Sequence, residues 1–330
     1  MIEELGITFI DVGQGDSTLI RLPTYSGIEG GAILIDCPSG KSQTILDLLK
    51  EHSINHLALV IVTHSDDDHC GGISDILSHF ANLGTIDQVA YIPDSPSNAG
   101  QRRVSRAYRR FTRLTLDLEQ QGKLRWWKPN LDSKNYGDVV INFLHPDERD
   151  SWRGLAEQDR NSVSQVVLLE FFGTKVLFAA DITEKGWSWI MNRMNSRGLD
   201  ASIVLKSRVI KVPHHGGAWK NIASLKSLFD LTQPEYVIIS TGSENTYNHP
   251  SQSLFDIMRS VPSIKRILCT QATPHRCGLK DGESFSCAGS VELILQSTTF
   301  TIFPNQDQHL IRIKLKHLHP ACSIWLPKID

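Results

Sequence analysis

The stretch Thr63-His64-Ser65-Asp66-Asp67-Asp68-His69-Cys70-Gly71-Gly72 follows an apolar, strand-like run (57–63) and precedes a helix-like one (73–83). His64, Asp66, Asp68 and His69 put four candidate ligands within six positions of a strand-to-helix turn. Carboxylates and imidazoles packed this closely converge stably only around a cation, because burying them together without one is costly. Gly71 and Gly72 let the backbone swing sharply into the helix. The alternative is a solvated acidic turn that happens to hold two histidines.

Outward from this turn, short apolar runs alternate with helical patterns, the mark of an α/β architecture. Strand-like runs cover 6–10, 17–21, 32–36, 57–63, 139–144, 165–171, 175–180, 202–212, 236–240 and 265–269. Helical patterns cover 44–52, 73–83, 104–121, 184–195, 222–229 and 253–259. The early strands are joined by turns, so mixed sheets are expected. Asp11, Asp36, His64, Asp181, His214 and Thr241 fall just past strand ends, where open α/β sheets gather ligands, so one site built from many loops is expected. One catalytic domain over 1–304 is expected, with a basic helical insertion at about 101–128 and a C-terminal extension over 305–330. Within that extension, 309–315 alternates like a strand suited to edge pairing or self-association.

The composition of the 330 residues, 40% hydrophobic and 21% charged, suits a globular chain with a substantial core. A net charge of -2 excludes bulk attraction to nucleic acid, so any such binding needs a local basic patch. The six cysteines form no CxxC pair, and the first residues run straight into a strand-like segment. Free thiols in a cytoplasmic setting are therefore expected. No apolar run approaches the roughly 20 residues that span a bilayer, so no membrane association is expected. Cys269, His275, Cys277 and Cys287 are a minor candidate for structural zinc, but their irregular spacing favours scattered buried cysteines.

The 63–72 segment resembles the HxHxDH signature of the metallo-β-lactamase superfamily, with Asp66 in place of the second histidine. Asp11-Val12-Gly13-Gln14-Gly15-Asp16 is similar to the DVGQGD motif of the hydrolase domain of the ComEC family, DNA-uptake channels with soluble relatives. Lys211-Val212-Pro213-His214-His215-Gly216-Gly217 resembles that family's HHG segment. Ser240-Thr241-Gly242, Asn245 and His249-Pro250 resemble its downstream S-x-G…N…HP segment. Asp181 sits where the superfamily places a metal-bridging aspartate, and Asn161-Ser162 where many members carry another histidine ligand. The resemblance spans roughly 5–300 in consistent order, far more specific than any single motif. It implies an αββα sandwich of two mixed β-sheets flanked by helices. The membrane segments of the channel have no counterpart, so transport does not carry over.

By that resemblance one or two divalent ions are held by His64, Asp66, Asp68, His69, Asp181 and His214 or His215, with Asp181 as the bridge. The carboxylate at Asp66 hardens the site, making manganese or magnesium plausible beside zinc. Asp68, His215 and His249 are the candidates for proton transfer and phosphate contact. Taken singly, Asp181 reads equally as a helix N-cap, His214-His215 as a plain turn, Asp11 and Asp16 as turn formers, and His249 as a loop cap. Asp36 reads as structural, and the histidines outside the motifs as packing or surface residues.

A phosphodiesterase or nuclease using metal-activated water is the leading expectation. The resemblance supports it, because nuclease activity is attributed to the ComEC hydrolase domain. So does the basic stretch 102–128, where Arg102, Arg103, Arg106, Arg109, Arg110 and Arg113 are candidate nucleic-acid contacts. Positions 102, 106, 109, 110 and 113 share a helix face, and Tyr108, Trp126 and Trp127 add stacking surface. A solvated helix or a dock for an acidic partner is the alternative. Two other functions stay open. One is a component of a multi-protein bacterial system, for instance anti-phage defence, active only with a partner such as an NTPase. The other is a small-molecule hydrolase acting on cyclic nucleotides or esters.

Overall fold

The computed structural model describes residues 3–24, 27–94 and 104–325. Strands β1 (Leu5–Phe9), β2 (Thr18–Arg21), β3 (Gly31–Ile35), β4 (His56–Val62), β5 (Gln88–Tyr91) and β6 (Arg125–Trp127) come first along the chain. Then follow β7 (Ser133–Tyr136), β8 (Val139–His145), β9 (Val166–Phe171), β10 (Thr174–Phe178), β11 (Val209–Lys211), β12 (Tyr236–Ile239) and β13 (Arg266–Cys269), and finally β14 (Val291–Leu295) and β15 (Phe300–Phe303). They form one sheet ordered β15-β14-β1-β2-β3-β4-β5-β6 and another ordered β13-β12-β11-β10-β9-β8-β7. Each is mixed. In the first, pairing is antiparallel from β15 to β3 and parallel from β3 to β6. In the second it is parallel from β13 to β10 and antiparallel from β10 to β7.

Side-chain alternation builds the layers. Along β8, Val139, Ile141, Phe143 and His145 are buried while the residues between them are half-exposed, as a period of two requires. The inner faces meet in a core that includes Ile7, Phe9, Ile33 and Ile61 from one sheet and Ile141, Val167, Leu169 and Val176 from the other. Across it the Phe9 and Phe178 rings lie 5.7 Å apart. The outer faces are apolar as well, and helices cover them. Helices Ser42–Glu51, Ile73–Leu83 and Arg106–Gln120 cover the first sheet; Glu184–Ser196, Ile222–Thr232 and Gln252–Arg259 cover the second. This is the αββα sandwich expected from the sequence. Among the described residues, no helix is long and apolar enough to cross a membrane.

Three local expectations change. The run 202–212 is not one strand: Asp200 caps the short helix Ala201–Val204, and β11 begins only at Val209. The tail 309–315 is helical, within Gln306–Leu315, because Asn305 and Gln308 form a capping box and His309 and Ile313 bury one face. That helix packs on Ala272, Cys277, Leu279 and Cys287 in a small core of its own. The basic segment enters the sheet: Arg106–Gln120 buries Tyr108, Phe111, Thr115 and Leu118, and β6 then pairs with β5. Arg102 and Arg103 lie outside the described residues.

Candidate metal centre

The expected ligands lie past the ends of β4, β10 and β11, and Asp16, from the loop between β1 and β2, joins them. Each sheet therefore contributes loops to one cluster, as its parallel strand ends would predict. Among the described residues, three overlapping sets of ligand atoms each lie within 4.8 Å: His64/His69/Asp181, Asp68/His69/His215 and Asp16/Asp181/His215. Asp66 and His214 stand at the margin. Asp66 Oδ2 lies 3.8 Å from His64 Nε2, and its Oδ1 lies 3.3 Å from the Arg160 guanidinium, which also grips Asp94. His214 Nε2 is 3.7 Å from Asp181 Oδ2. Asn161 sits in the 3-10 turn Asn161–Val163.

Backbone and neighbours hold these side chains firmly. Asp36, Ala180, His214 and His215 all adopt left-handed φ values between 45° and 59°, a conformation that costs non-glycine residues energy and clusters at functional sites. Asp36 accepts hydrogen bonds from Thr63 N (2.8 Å) and Thr63 Oγ1 (2.6 Å), and lies 2.8 Å from His69 Nδ1. It therefore fixes the ring so that Nε2 points into the cluster. His215 Nδ1 lies 3.1 Å from the Ser240 carbonyl and 3.5 Å from Asp16 Oδ1, again leaving Nε2 for the cluster. Asp16 forms a buried ion pair with Lys211. Its loop lies against the metal-binding turn, where Asp16 N donates to Asp68 O at 3.1 Å. Gly15, at φ 120°, admits no side chain, since a Cβ would come within 2.4 Å of that same oxygen.

Asp16 and Lys211 fall within the DVGQGD-like and HHG-like segments, but the sequence alone assigns neither a place at the site. Asp16 reads in sequence as a turn former beside two glycines, and its cationic partner lies far along the chain. Asp11 proves to be a clamp and not a ligand: Gln271 Nε2 (2.8 Å) and the Ser286 hydroxyl both donate to its carboxylate. His249, held through Asn245, stands beside His214 with ring centroids 5.4 Å apart. Arg106, Arg109, Arg110 and Arg113 are all exposed on a helix that packs against the short helix Asp67–Cys70 of the metal-binding turn. Cys269, His275, Cys277 and Cys287 do not form a metal set among the described residues. Cys287 instead lies 3.3 Å from His309 Nε2, and all six cysteines are free and buried.

The cluster fits divalent cations. Asp16 Oδ1, His64 Nε2, His69 Nε2, Asp181 Oδ1 and His215 Nε2 are buried without a well-formed hydrogen bond, and their contacts are with one another, as His69 Nε2 with Asp181 Oδ1 at 3.2 Å and His215 Nε2 with Asp181 Oδ2 at 3.5 Å. A buried polar atom without a good hydrogen bond costs about 1–3 kcal/mol, so imidazole nitrogens and carboxylate oxygens gathered in three overlapping sets suit a cation as their common partner. Electrostatics agree. Burial alone would lower the His69 pKa, but the carboxylates of Asp181 and Asp36 outweigh it and hold the pKa well above the usual histidine value. Burial opposes charge on His215 too, yet Asp181 and Asp16 raise it to about 9. Burial would raise Asp181, but His69 and His215 hold it well below the ordinary carboxylate range. His64 is pushed down by burial and by the charge on His69. Without metal, then, protons on His69 and His215 balance buried carboxylates, the role that divalent ions fill when bound.

An αββα sandwich with a His/Asp cluster at its strand ends defines a class of metal-dependent hydrolases. The chain belongs to the metallo-beta-lactamase superfamily, whose family model matches residues 10–240. It is similar to ComE operon protein 3 of Bacillus subtilis (strain 168), 23% identical over 270 residues that cover 77% of this chain. It is also similar to competence protein ComA of Neisseria gonorrhoeae, 24% identical over 257 residues and 78% of this chain. In each case the chain spans 30% of the relative's length. Among solved structures, Igni18, a metallo hydrolase from Ignicoccus hospitalis, matches with a TM-score of 0.43 and 15% identity over 84% of this chain and 97% of its own.

Proposed function

We propose that this protein is a metal-dependent phosphodiesterase that cleaves nucleic acid. The observation that carries the reading is one juxtaposition. A cluster of buried imidazoles and carboxylates with ligand spacing lies next to a helix that presents Arg106, Arg109, Arg110 and Arg113 to solvent. Such a face concentrates a polyanion at the site despite the chain's net charge of -2. The names of its relatives, a competence protein and a recombination protein, point the same way.

Divalent ions held by His64, Asp68, His69, Asp181 and His215, with Asp16 and Asp66 beside them, would supply Lewis acidity and a water acidified towards neutrality. The chain's own residues do the rest. Asp36 and Ser240 orient His69 and His215. Asp68 is the most open of the clustered carboxylates, its side chain 35% exposed and 3.4 Å from His215 Nε2. It is therefore placed to hold or pass a proton at the solvent side. Burial, then the charges of His214 and His215, lowers His249 to about 4, so at neutral pH it meets substrate as a neutral imidazole. The imidazoles favour zinc, and the carboxylates keep manganese and magnesium open beside it.

The test combines metal analysis of the purified protein with cleavage assays on single- and double-stranded DNA and RNA under each ion. Asp68→Ala and Asp181→Ala are expected to lose cleavage. A metal-free protein whose variants cut as well as wild type would refute the hydrolase reading. Bound metal with no polynucleotide cleaved would refute the substrate class alone.

A further inference from the structure

The loop 241–249 carries an exposed aromatic group that the metal chemistry does not use. Tyr247 is 68% exposed. Its ring lies nearly parallel to that of His249, with centroids 5.7 Å apart and planes tilted by 21°. His249 contacts His214 at 5.4 Å, and His214 contacts His215 at 6.2 Å. A continuous run of rings thus leads from the buried cluster to the surface and ends in the open face of Tyr247.

The loop is held in place before anything binds. Asn245 Nδ2 donates to the carbonyls of Gly242 (2.7 Å) and His249 (2.9 Å), and Asn245 Oδ1 accepts from His249 N (2.9 Å). Its base is locked to the loop after β1, because a Cβ on Gly242 would come within 2.5 Å of Gln14 N. Little conformational entropy remains to be lost when a ligand settles on the ring.

An aromatic surface aimed outward beside a phosphodiester-cleaving centre suits one ligand chemistry, a planar heteroaromatic base. Resting on the proposed function, we infer that Tyr247, backed by His249, is a stacking platform for the nucleobase next to the scissile phosphate. Such a base must first leave its own stack, so the platform favours single strands and frayed ends over intact duplex. The arginine face of Arg106–Gln120 supplies attraction without base contact. Tyr247 supplies grip on an unpaired base.

The experiment compares Tyr247→Ala and Tyr247→Phe with wild type on a single-stranded oligonucleotide of one cleavable sequence. A matched set carries an abasic residue at each position flanking the cut. Tyr247→Ala is expected to raise KM by about 5- to 150-fold on the intact strand, the range for loss of one base–aromatic stack. Tyr247→Phe should stay near wild type. On the strand whose abasic residue removes the stacked base, wild type and Tyr247→Ala should have the same KM. An unchanged KM for Tyr247→Ala on the intact strand overturns the platform, as does a loss that persists on every abasic strand. Failure of wild type to cut any polynucleotide overturns the proposed function itself, a result distinct from either.

Discussion

Replacing Lys211 by Met should expose how much the protein relies on one buried ion pair. The side chains of Lys211 and Asp16 are 4% and 9% exposed and contact each other directly. Burial would push the Asp16 carboxyl up, but Lys211 first and His215 second hold it well below the ordinary range. Methionine keeps the aliphatic stem and its packing while leaving the carboxylate without its cation, a change that costs about 3–5 kcal/mol when such a pair is broken. Unfolding entropy of about 2.1 cal/mol/K per residue sums to roughly 0.7 kcal/mol/K over 330 residues, so the metal-free Tm should fall by about 4–7 °C. The double variant Asp16→Asn/Lys211→Met removes both charges and should recover most of that loss. The pH dependence carries a sign. A carboxylate with a depressed folded pKa stabilises above its unfolded value of about 3.9, and that contribution fades as pH falls. Without Lys211 the Asp16 carboxyl is held down less strongly, by His215 and His69 alone, so the variant's deficit should shrink on acidification. Scanning calorimetry in chelator, at fixed scan rate, measures each quantity. A Tm shift under about 1 °C, or a double variant as unstable as the single one, would show that desolvation of Asp16 is not what Lys211 offsets.

Other consequences can be measured separately. Zinc or manganese at about 100 times its Kd should stabilise the wild type by about 2.7 kcal/mol, and Asp181→Ala should abolish most of the gain, as read by thermal shift with and without chelator. His309, buried and far along the chain from the metal cluster, is pushed by burial, then by Arg266 and Arg312, down to about 4. A histidine with a depressed folded pKa stabilises above its unfolded value of about 6.5, so stability should fall between pH 6.5 and 4. A His309→Gln variant should flatten that slope in urea titrations. Replacing Arg106, Arg109 and Arg113 together by Ala should leave Tm within about 1 °C, since all three are exposed. The same variant should reduce the slope of log affinity against log salt for single-stranded DNA by about 2, at roughly 0.7 per lost phosphate contact.

What could be read directly from the chain was local chemistry. His64, Asp68 and His69 crowd one turn, and His214-His215 and Asp181 each follow an apolar strand, so their chemistry shows in a short window. Asp16 does not, because beside Gly13 and Gly15 it has the profile of a turn, and its meaning depends on Lys211, which reaches it only across the two sheets. Asp66 shows the opposite limit. Its position within a ligand motif is visible, but Arg160, which binds its carboxylate together with that of Asp94, comes from a distant loop. The tail misled for a related reason. Its alternation is genuine, but the capping box at Asn305 and Gln308 and the four-residue spacing of His309 and Ile313 favour helix once Cys287 and Ala272 provide a surface to bury against.

The division of the ligands between the two sheets also constrains how the chain can change over generations. Asp16, His64, Asp68 and His69 hang from the first sheet, whereas Asp181 and His215 hang from the second. A substitution that tilts either sheet by a fraction of an ångström misplaces one sheet's donors against the other's, so the two halves must accept mutations in concert. Exposed positions on the rim that hold no donor, such as Tyr247 at the tip of 241–249, escape that coupling. Descendants of such a scaffold are thus freest to acquire new substrates at the rim while inheriting the donor set intact.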